Sequence, residues 1–373
     1  MNKKLHIIFL DFDDIKNPLL AAGQAKATLE VGKEMVKFGH KVEIISSRYP
    51  GYKDRKENGM IYRHIGLNTN NIRINNFIYI LAVPFAIRKL KGDVIVECFT
   101  APISTLFSPL FTKIPVVALT SSFEAERFSQ LYHFPFYVVE RYGLKFYRYG
   151  IALTEFFSEK MKKGNKNIIT RVIPEGVGPE FFTIKRKKAK QILFLGRLDM
   201  SQKGIDLLLQ AYKLVANKIA YPLVIAGNGP DEEKVKKMIT KLGLEKKVTM
   251  IGATYGQKKA AILSESLLVA FTSRNETFSC FGLEALASGL PLVAFDIPGL
   301  SWTKDTVVFK APAFNVKKYA QLLLTKSEEI SQKSISNETR KFAKLFTWEK
   351  VATDFISFFY EVKKIEKTRK ENN

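Results

Sequence analysis

The chain has little cysteine, little acid and no long apolar run, and each shortage excludes something. Its two cysteines, Cys98 and Cys280, lie far apart, so neither a disulfide framework nor a zinc site with paired ligand spacing is indicated. Crossing a bilayer as a helix takes about eighteen or more consecutive apolar residues, and no window supplies them. The best candidate, 77–87, is too short and contains Pro84. Lys3 and Lys4 open the chain, but the apolar stretch behind them stops at Asp11, Asp13 and Asp14. That pattern fits a first strand and not a secretory signal. Of the four histidines, His6, His64 and His133 have no partner at ligand spacing. Internal repeats and low-complexity blocks are missing as well. The expectation is a cytoplasmic globular chain.

The acid deficit is large: 36 Asp and Glu stand against 59 Lys and Arg, for a net charge of +23. Roughly +9 falls before residue 184 and about +14 after it, so no single basic arm accounts for it. Local concentrations occur at 88–91, 160–166 and 185–188. One reading is attraction to an anionic membrane surface at the inner face of the membrane; the other is a set of solvated lysine faces. A nucleic-acid or anionic-surface binding protein is the alternative of a different class. No nucleic-acid-binding motif is present, so nucleic acid is not the expected partner.

With 373 residues and 46% hydrophobic content, the chain can bury two cores of ordinary domain size. Short apolar strands are predicted at 5–10, 41–46, 93–97 and 114–119, with helical stretches between them. Such alternation builds a parallel sheet with helices on both faces. A basic bridge at 183–190 interrupts the pattern, and a second strand–helix series starts at Gln191. Its strands are predicted at 193–195, 223–226, 248–251, 267–271 and 292–294. The domains are therefore 1–183 and 184–345, with 346–373 as a carboxy-terminal segment.

The most informative stretch is Asn275–Gly289, which holds Glu276 and Glu284 with seven residues between them. It follows the apolar run 266–271, a buried parallel strand, and 281–288 reads as the helix behind that strand. Glu276 then sits in a strand-to-helix loop and Glu284 lies early in the helix. Helical side chains lean toward the N-terminus, so both carboxylates can face one crevice. Ser279 is a candidate N-cap, and the backbone N–H groups of a helix start suit a phosphate. A carboxylate accepts two hydrogen bonds, and a vicinal diol donates two. The stretch therefore has parts for a sugar, a ribose and a diphosphate. About eighty residues upstream, the strand 191–195 runs into the loop Gly196–Gly204 and then a helical pattern over 205–215. Arg197 can bridge two phosphate oxygens with its planar fork, and Lys203 adds a compact point charge.

Taken together, these segments resemble the retaining glycosyltransferases of family 4, which have the two-domain GT-B fold. The matching pieces are Gly196-Arg197 with Lys203-Gly204, Leu223-Val224-Ile225-Ala226-Gly227-Asn228-Gly229-Pro230, and the Glu276-to-Glu284 pair. Gly39-His40-Lys41-Val42, Val172-Ile173-Pro174-Glu175-Gly176-Val177 and Phe346-Thr347-Trp348-Glu349 match as well. They span nearly the whole chain in the family's order. The resemblance implies an α/β fold of two Rossmann-like domains whose parallel sheets face a deep interdomain cleft. Residues 1–183 would take the acceptor and 184–345 the nucleotide sugar. The helix 348–364 would cross back to the first domain, with 365–373 as a frayed tail.

The implied activity moves a hexose-type sugar from a nucleoside diphosphate to a glycan, a lipid-linked molecule or another hydroxyl acceptor. In that pattern Glu276 meets sugar hydroxyls and Glu284 the ribose, while Thr277, Phe278 and Ser279 offer backbone N–H groups to the diphosphate. Arg197 and Lys203 neutralise the leaving diphosphate, so no metal and no other cofactor is expected. Gly23 is the matching loop residue of the first domain, although Ala22 stands where many relatives have a second glycine. Gly39 and His40 read as structural: a helix end and the entry to the next strand. The histidine that several relatives carry after the fourth strand is missing. Ser122 stands near its place, and Ser122 and Glu124 are the acceptor-side candidates.

A sugar-nucleotide epimerase or a phosphorylase on the same fold is the nearer alternative. The 10–14 stretch is similar to the first-strand Asp-x-Asp of haloacid-dehalogenase phosphatases, but no downstream lysine and acidic pair completes that set. Residues 132–149 alternate aromatics with Arg141, Lys145 and Arg148 and, with 75–91, make a candidate amphipathic surface. The aromatics are expected in the core and the cations at a membrane.

Overall fold

Short runs rich in Ile, Val and Leu become strands in the computed structural model, which describes residues 3–20, 23–99, 107–120, 123 and 125–372. The chain divides into two units, 1–176 together with 348–373, and 177–347. The first unit holds β1 (His6–Leu10), β2 (Lys41–Ser47), β3 (Arg55–Glu57), β4 (Met60–Ile65), β5 (Val94–Cys98), β6 (Val116–Thr120), β7 (Tyr149–Ala152) and β8 (Ile169–Val172). Their order across the sheet is β3-β4-β2-β1-β5-β6-β7-β8. All neighbours are parallel except β3 and β4. That antiparallel pair turns through Asn58 and Gly59, both at positive φ (52° and 77°), the tight hairpin that an Asn-Gly pair favours.

The second unit holds β9 (Gln191–Leu195), β10 (Leu223–Ala226), β11 (Val248–Met250), β12 (Ser266–Phe271), β13 (Leu292–Phe295) and β14 (Val308–Ala311). It is an all-parallel sheet ordered β11-β10-β9-β12-β13-β14. In both units the connections wind outward from one central strand in opposite directions. The crevice at the carboxyl ends of β9 and β12, where the winding reverses, is the place where such sheets bind ligands.

The domain boundary falls at Gly176/Val177, earlier than the basic bridge suggests, because the residues before the bridge bond to the second unit. Val177 N–H donates to the Phe346 carbonyl at 2.8 Å, and the Pro179–Phe182 turn lies against the Cys280–Ala287 helix. The bridge itself is no free linker. Lys187 and Lys190 donate their N–H groups to the Ser264 and Glu265 carbonyls at 2.9 and 2.8 Å. Arg186 bonds the Leu263 and Ser266 carbonyls, and burial, with Arg340 nearby, lowers its guanidinium to about 10.

The carboxy-terminal helix also runs on past 364. It spans Trp348–Glu371 and belongs to the first unit, packed on the Gly23–Lys37 helix. The stretch expected to fray is pinned by the Tyr149 hydroxyl, which donates to Glu366 at 2.7 Å. One turn earlier, Lys363 donates to Asp93 at 2.5 Å. Gly39 closes the Gly23–Lys37 helix at φ 85°. Its N–H returns to Val36 and that of His40 to Met35, the bond pair of a glycine-capped helix end. His40 Nδ1 then accepts the Leu5 N–H at 3.0 Å.

The acidic cluster after β1 is an internal scaffold. The Thr28 hydroxyl donates to Asp11 at 2.6 Å, yet complete burial still raises Asp11 to about 7. Asp14 accepts both arms of the Arg55 fork at 2.7 and 2.8 Å. The His64 ring lies 2.9 Å from Asp14 and 3.0 Å from Asp54. Burial alone would raise Asp14, but His64 and Arg55 overcome it and hold the carboxyl well below the usual range. His64 thus has partners, Asp14 from the loop after β1 and Asp54 from just before β3.

Candidate active site

The site is built on two loops at the carboxyl ends of β9 and β12, on either side of the reversal in the second sheet. After β9 the chain turns through Gly196–Asp199 into a single helical turn, Met200–Lys203. Asp199 caps that turn by accepting the Gln202 N–H at 3.1 Å. Burial by itself would raise its carboxyl, but bonds from Ser201, the Gln202 N–H and Arg197 outweigh it and hold the group low. Gly204 then reverses the backbone in the left-handed region (φ 60°) and starts the Ile205–Val215 helix. A Cβ there would lie 2.1 Å from the Thr272 carbonyl oxygen, so the two loops meet backbone to backbone.

Two further ties fix the β12 loop on the β9 loop. Arg274 sends its fork to both oxygens of Asp206 at 2.7 Å and a further bond to the Met200 carbonyl at 2.6 Å. Arg274 N–H donates to Gln202 O at 2.8 Å. Phe278 is buried against Trp302 with ring centroids 4.5 Å apart. Gly299 passes so close to Glu276 that a Cβ would meet its carbonyl at 2.2 Å. Arg274, Asp206, Trp302 and Gly299 are supports that sequence reading missed. Arg274 and Asp206 are 68 positions apart, and no local pattern links them.

These ties hold Glu276 in a recess of about 280 Å³ lined by Gly196, Arg197, Lys203, Glu276, Phe278 and Ser279 among others. Lys203 Nζ donates to Glu276 Oε1 at 2.5 Å, and Ser273 Oγ donates to the same oxygen at 2.7 Å. Arg197 is half exposed and donates to Asp199 at 2.7 Å and Gln202 at 3.2 Å. Ser279 caps the Cys280–Ala287 helix, its Oγ accepting the Gly282 N–H at 3.0 Å. The start of that helix, with Cys280 and Phe281, forms one wall of the recess. A cation pair, a carboxylate and a helix start thus converge, as an anionic ligand bearing hydroxyls would need.

The remaining candidates are not among the residues that line this recess. Thr277 and Glu284 are outside the lining of that recess. Glu284 is buried and paired with Lys259, whose ammonium also lies 5.7 Å from the Phe281 ring and 5.2 Å from the Phe181 ring. Gly23 is exposed at the start of the Gly23–Lys37 helix in the other unit. Ser122 and Glu124 lie outside the described residues. Among the described residues, no group of three or more His, Cys, Asp or Glu side chains is arranged to hold a metal ion.

Two Rossmann-like units, one with this recess at its reversal point, define the GT-B class of fold. Residues 21–181 match the family described as Glycosyltransferase Family 4, and residues 180–341 match Glycosyl transferases group 1. The chain belongs to the family 4 glycosyltransferases. It is 34% identical over 111 residues to an uncharacterised glycosyltransferase of Methanocaldococcus jannaschii, covering 30% of this chain and 28% of that protein. It is 27% identical over 201 residues to the GDP-mannose:cellobiosyl-diphosphopolyprenol alpha-mannosyltransferase of Xanthomonas campestris, covering 52% of each. These alignments span between about a quarter and half of the curated relatives' length. The fold is shared with Anabaena HepE, solved with UDP and glucose, at a TM-score of 0.72 and 16% identity over 95% of this chain and 99% of that one.

Proposed function

We propose that the protein transfers a hexose-type sugar from a nucleoside diphosphate sugar to a hydroxyl acceptor on a glycan or a lipid-linked molecule, with retention at the anomeric carbon. The observation that supports this most is the Lys203–Glu276 pair beside a capped helix start, with Arg197 on the rim. A donor diphosphate offers oxygens that draw Lys203 and Arg197 to itself. Glu276, released from Lys203, then accepts hydrogen bonds from sugar hydroxyls. The acceptor oxygen attacks the anomeric carbon on the face from which the diphosphate leaves. The C1–O bond to phosphate breaks, its electron pair stays on the diphosphate, and the acceptor proton moves to a phosphate oxygen. The two cations stabilise the charge that develops there, so transfer is expected to proceed with a chelator present.

The names of the relatives fit a nucleotide-sugar donor: one similar protein uses GDP-mannose and another was solved with UDP and glucose. A thermal-shift screen with UDP, GDP, ADP and their common sugar conjugates, in chelator, tests the donor site. A ligand that binds only the native state must raise the melting temperature. One nucleotide family should do so, and Arg197→Ala should abolish the shift. If none stabilises the protein, the reading fails.

A further inference from the structure

The Ile72–Ile87 helix is apolar on two opposite faces. One face carries Tyr79, Val83 and Ile87, buried in the core of the first unit. At about 100° per residue, Ile74, Phe77, Leu81 and Phe85 fall on the other side. They stay in solvent at 47%, 60%, 51% and 68% exposure. A helix that is hydrophobic all round belongs in a protein core or against lipid, and half of this one has no cover among the described residues. The 3₁₀ turn Ser108–Phe111 lies against the helix and adds Leu110, 60% exposed. The aromatics expected in the core have thus split, with Phe77, Phe85, Tyr137 and Tyr142 all more than half exposed.

Charge says what covers the patch. From Gly66 to Gly92 the chain has no acidic residue, while Arg73, Arg88, Lys89 and Lys91 flank the exposed stripe. Arg88 projects its guanidinium over the Phe111 ring at 5.3 Å, at the carboxyl end of the stripe. An apolar stripe with a wholly cationic border is complementary to an anionic bilayer, whose acyl boundary takes the aromatics and whose phosphates take the cations. No helix of the described residues is long and apolar enough to cross a membrane, so the contact would be in the plane of the interface. We infer that this face of the first unit docks on an anionic lipid surface, independently of nucleotide binding in the second unit.

Co-sedimentation of the full chain with phosphatidylglycerol-containing vesicles and with pure phosphatidylcholine vesicles tests this. Binding should require the anionic lipid and weaken with salt. Arg88→Gln and Lys89→Gln should each lower it about fivefold, and Phe77→Ser with Phe85→Ser by roughly tenfold or more. All four positions are exposed, so circular dichroism and the nucleotide-induced thermal shift should stay unchanged in these variants. Failure to bind anionic vesicles, equal binding to neutral ones, or binding indifferent to Phe77→Ser/Phe85→Ser would each overturn the inference. So would a self-association that the same double variant abolishes, because a second copy would then be the cover. A missing nucleotide shift with intact vesicle binding would count against the donor site alone.

Discussion

Replacing Glu276 by Gln should separate nucleotide binding from sugar transfer in opposite directions. Lys203 is paired with Glu276 at 2.5 Å, with side-chain exposures of 24% and 10%. A diphosphate must take that ammonium away from the carboxylate. Exposed ion pairs contribute about 0.2–1 kcal/mol, and breaking a fully buried one costs about 3–5 kcal/mol. This pair is intermediate and half-compensated by Ser273, so a competition of about 1 kcal/mol is reasonable. Glu276→Gln removes the competing charge and keeps the shape, so the free nucleoside diphosphate should bind about fivefold more tightly. Transfer should fall about a hundredfold or more, because two charge-assisted bonds to sugar hydroxyls, at roughly 1.5–3 kcal/mol each, are weakened together.

Isothermal titration with the nucleotide selected by thermal shift, beside a transfer assay on the same preparation, reads both numbers. Lys203→Met should lose nucleotide affinity about tenfold, and the double variant should resemble it, because the competition needs both partners. Tenfold weaker nucleotide binding in Glu276→Gln would refute the reasoning. The carboxylate would then be orienting Lys203 for the phosphate rather than contending for it.

Gly204→Ala should destabilise the second unit by about 2–3 kcal/mol, combining a left-handed residue with a backbone clash at Thr272, and the melting temperature reads it. Arg274→Lys should weaken donor binding without reaching the donor itself, since its fork ties the Glu276 loop to Asp206; a raised KM with a conserved melting profile in the other unit is the expected signature. Asp11→Asn tests the buried carboxyl. Asp11 stays protonated in the folded chain up to about 7, whereas the unfolded group ionises near 4. Its contribution is therefore fully present below about pH 4 and is lost as pH rises toward 7. The wild type should lose stability over that window by a few kcal/mol at most, and the Asn variant should show a flatter profile; an unchanged slope would remove Asp11 as the cause.

Five of the six strands of the second sheet were legible because most of them are parallel, buried and therefore short apolar runs; β14 (Val308–Ala311), with Lys310 inside it, was not. Gln191–Leu195, Leu223–Ala226 and Ser266–Phe271 stand where their composition puts them. The first sheet hid more. β3 is Arg-Lys-Glu and has no apolar signal. Its only marker is the Asn58-Gly59 turn, which the sequence reading passed over. The carboxy-terminal tail 365–373 was expected to fray as chain ends do, but the Tyr149 hydroxyl holds it through Glu366.

The site divides in the same way, and for a physical reason. Residues whose role comes from local backbone could be read: Ser279 as a cap and Glu276 in the loop after a buried strand. Residues whose role comes from pairing could not. Lys203 and Glu276 are 73 positions apart and Lys259 and Glu284 are 25 apart, and only the order β10-β9-β12 brings the first pair together. That order has a consequence for chemistry. The connections that follow β9 and β12 wind away in opposite directions, so one loop can bring cations and the other a carboxylate to a single recess. The Lys203–Glu276 pair neutralises those charges, and the missing Cβ of Gly204 lets the loops approach as closely as Gly204 and Thr272 do. On the proposed reading, that pairing is the interaction a charged donor would have to displace, and the strength of donor binding would be set by the difference between the two.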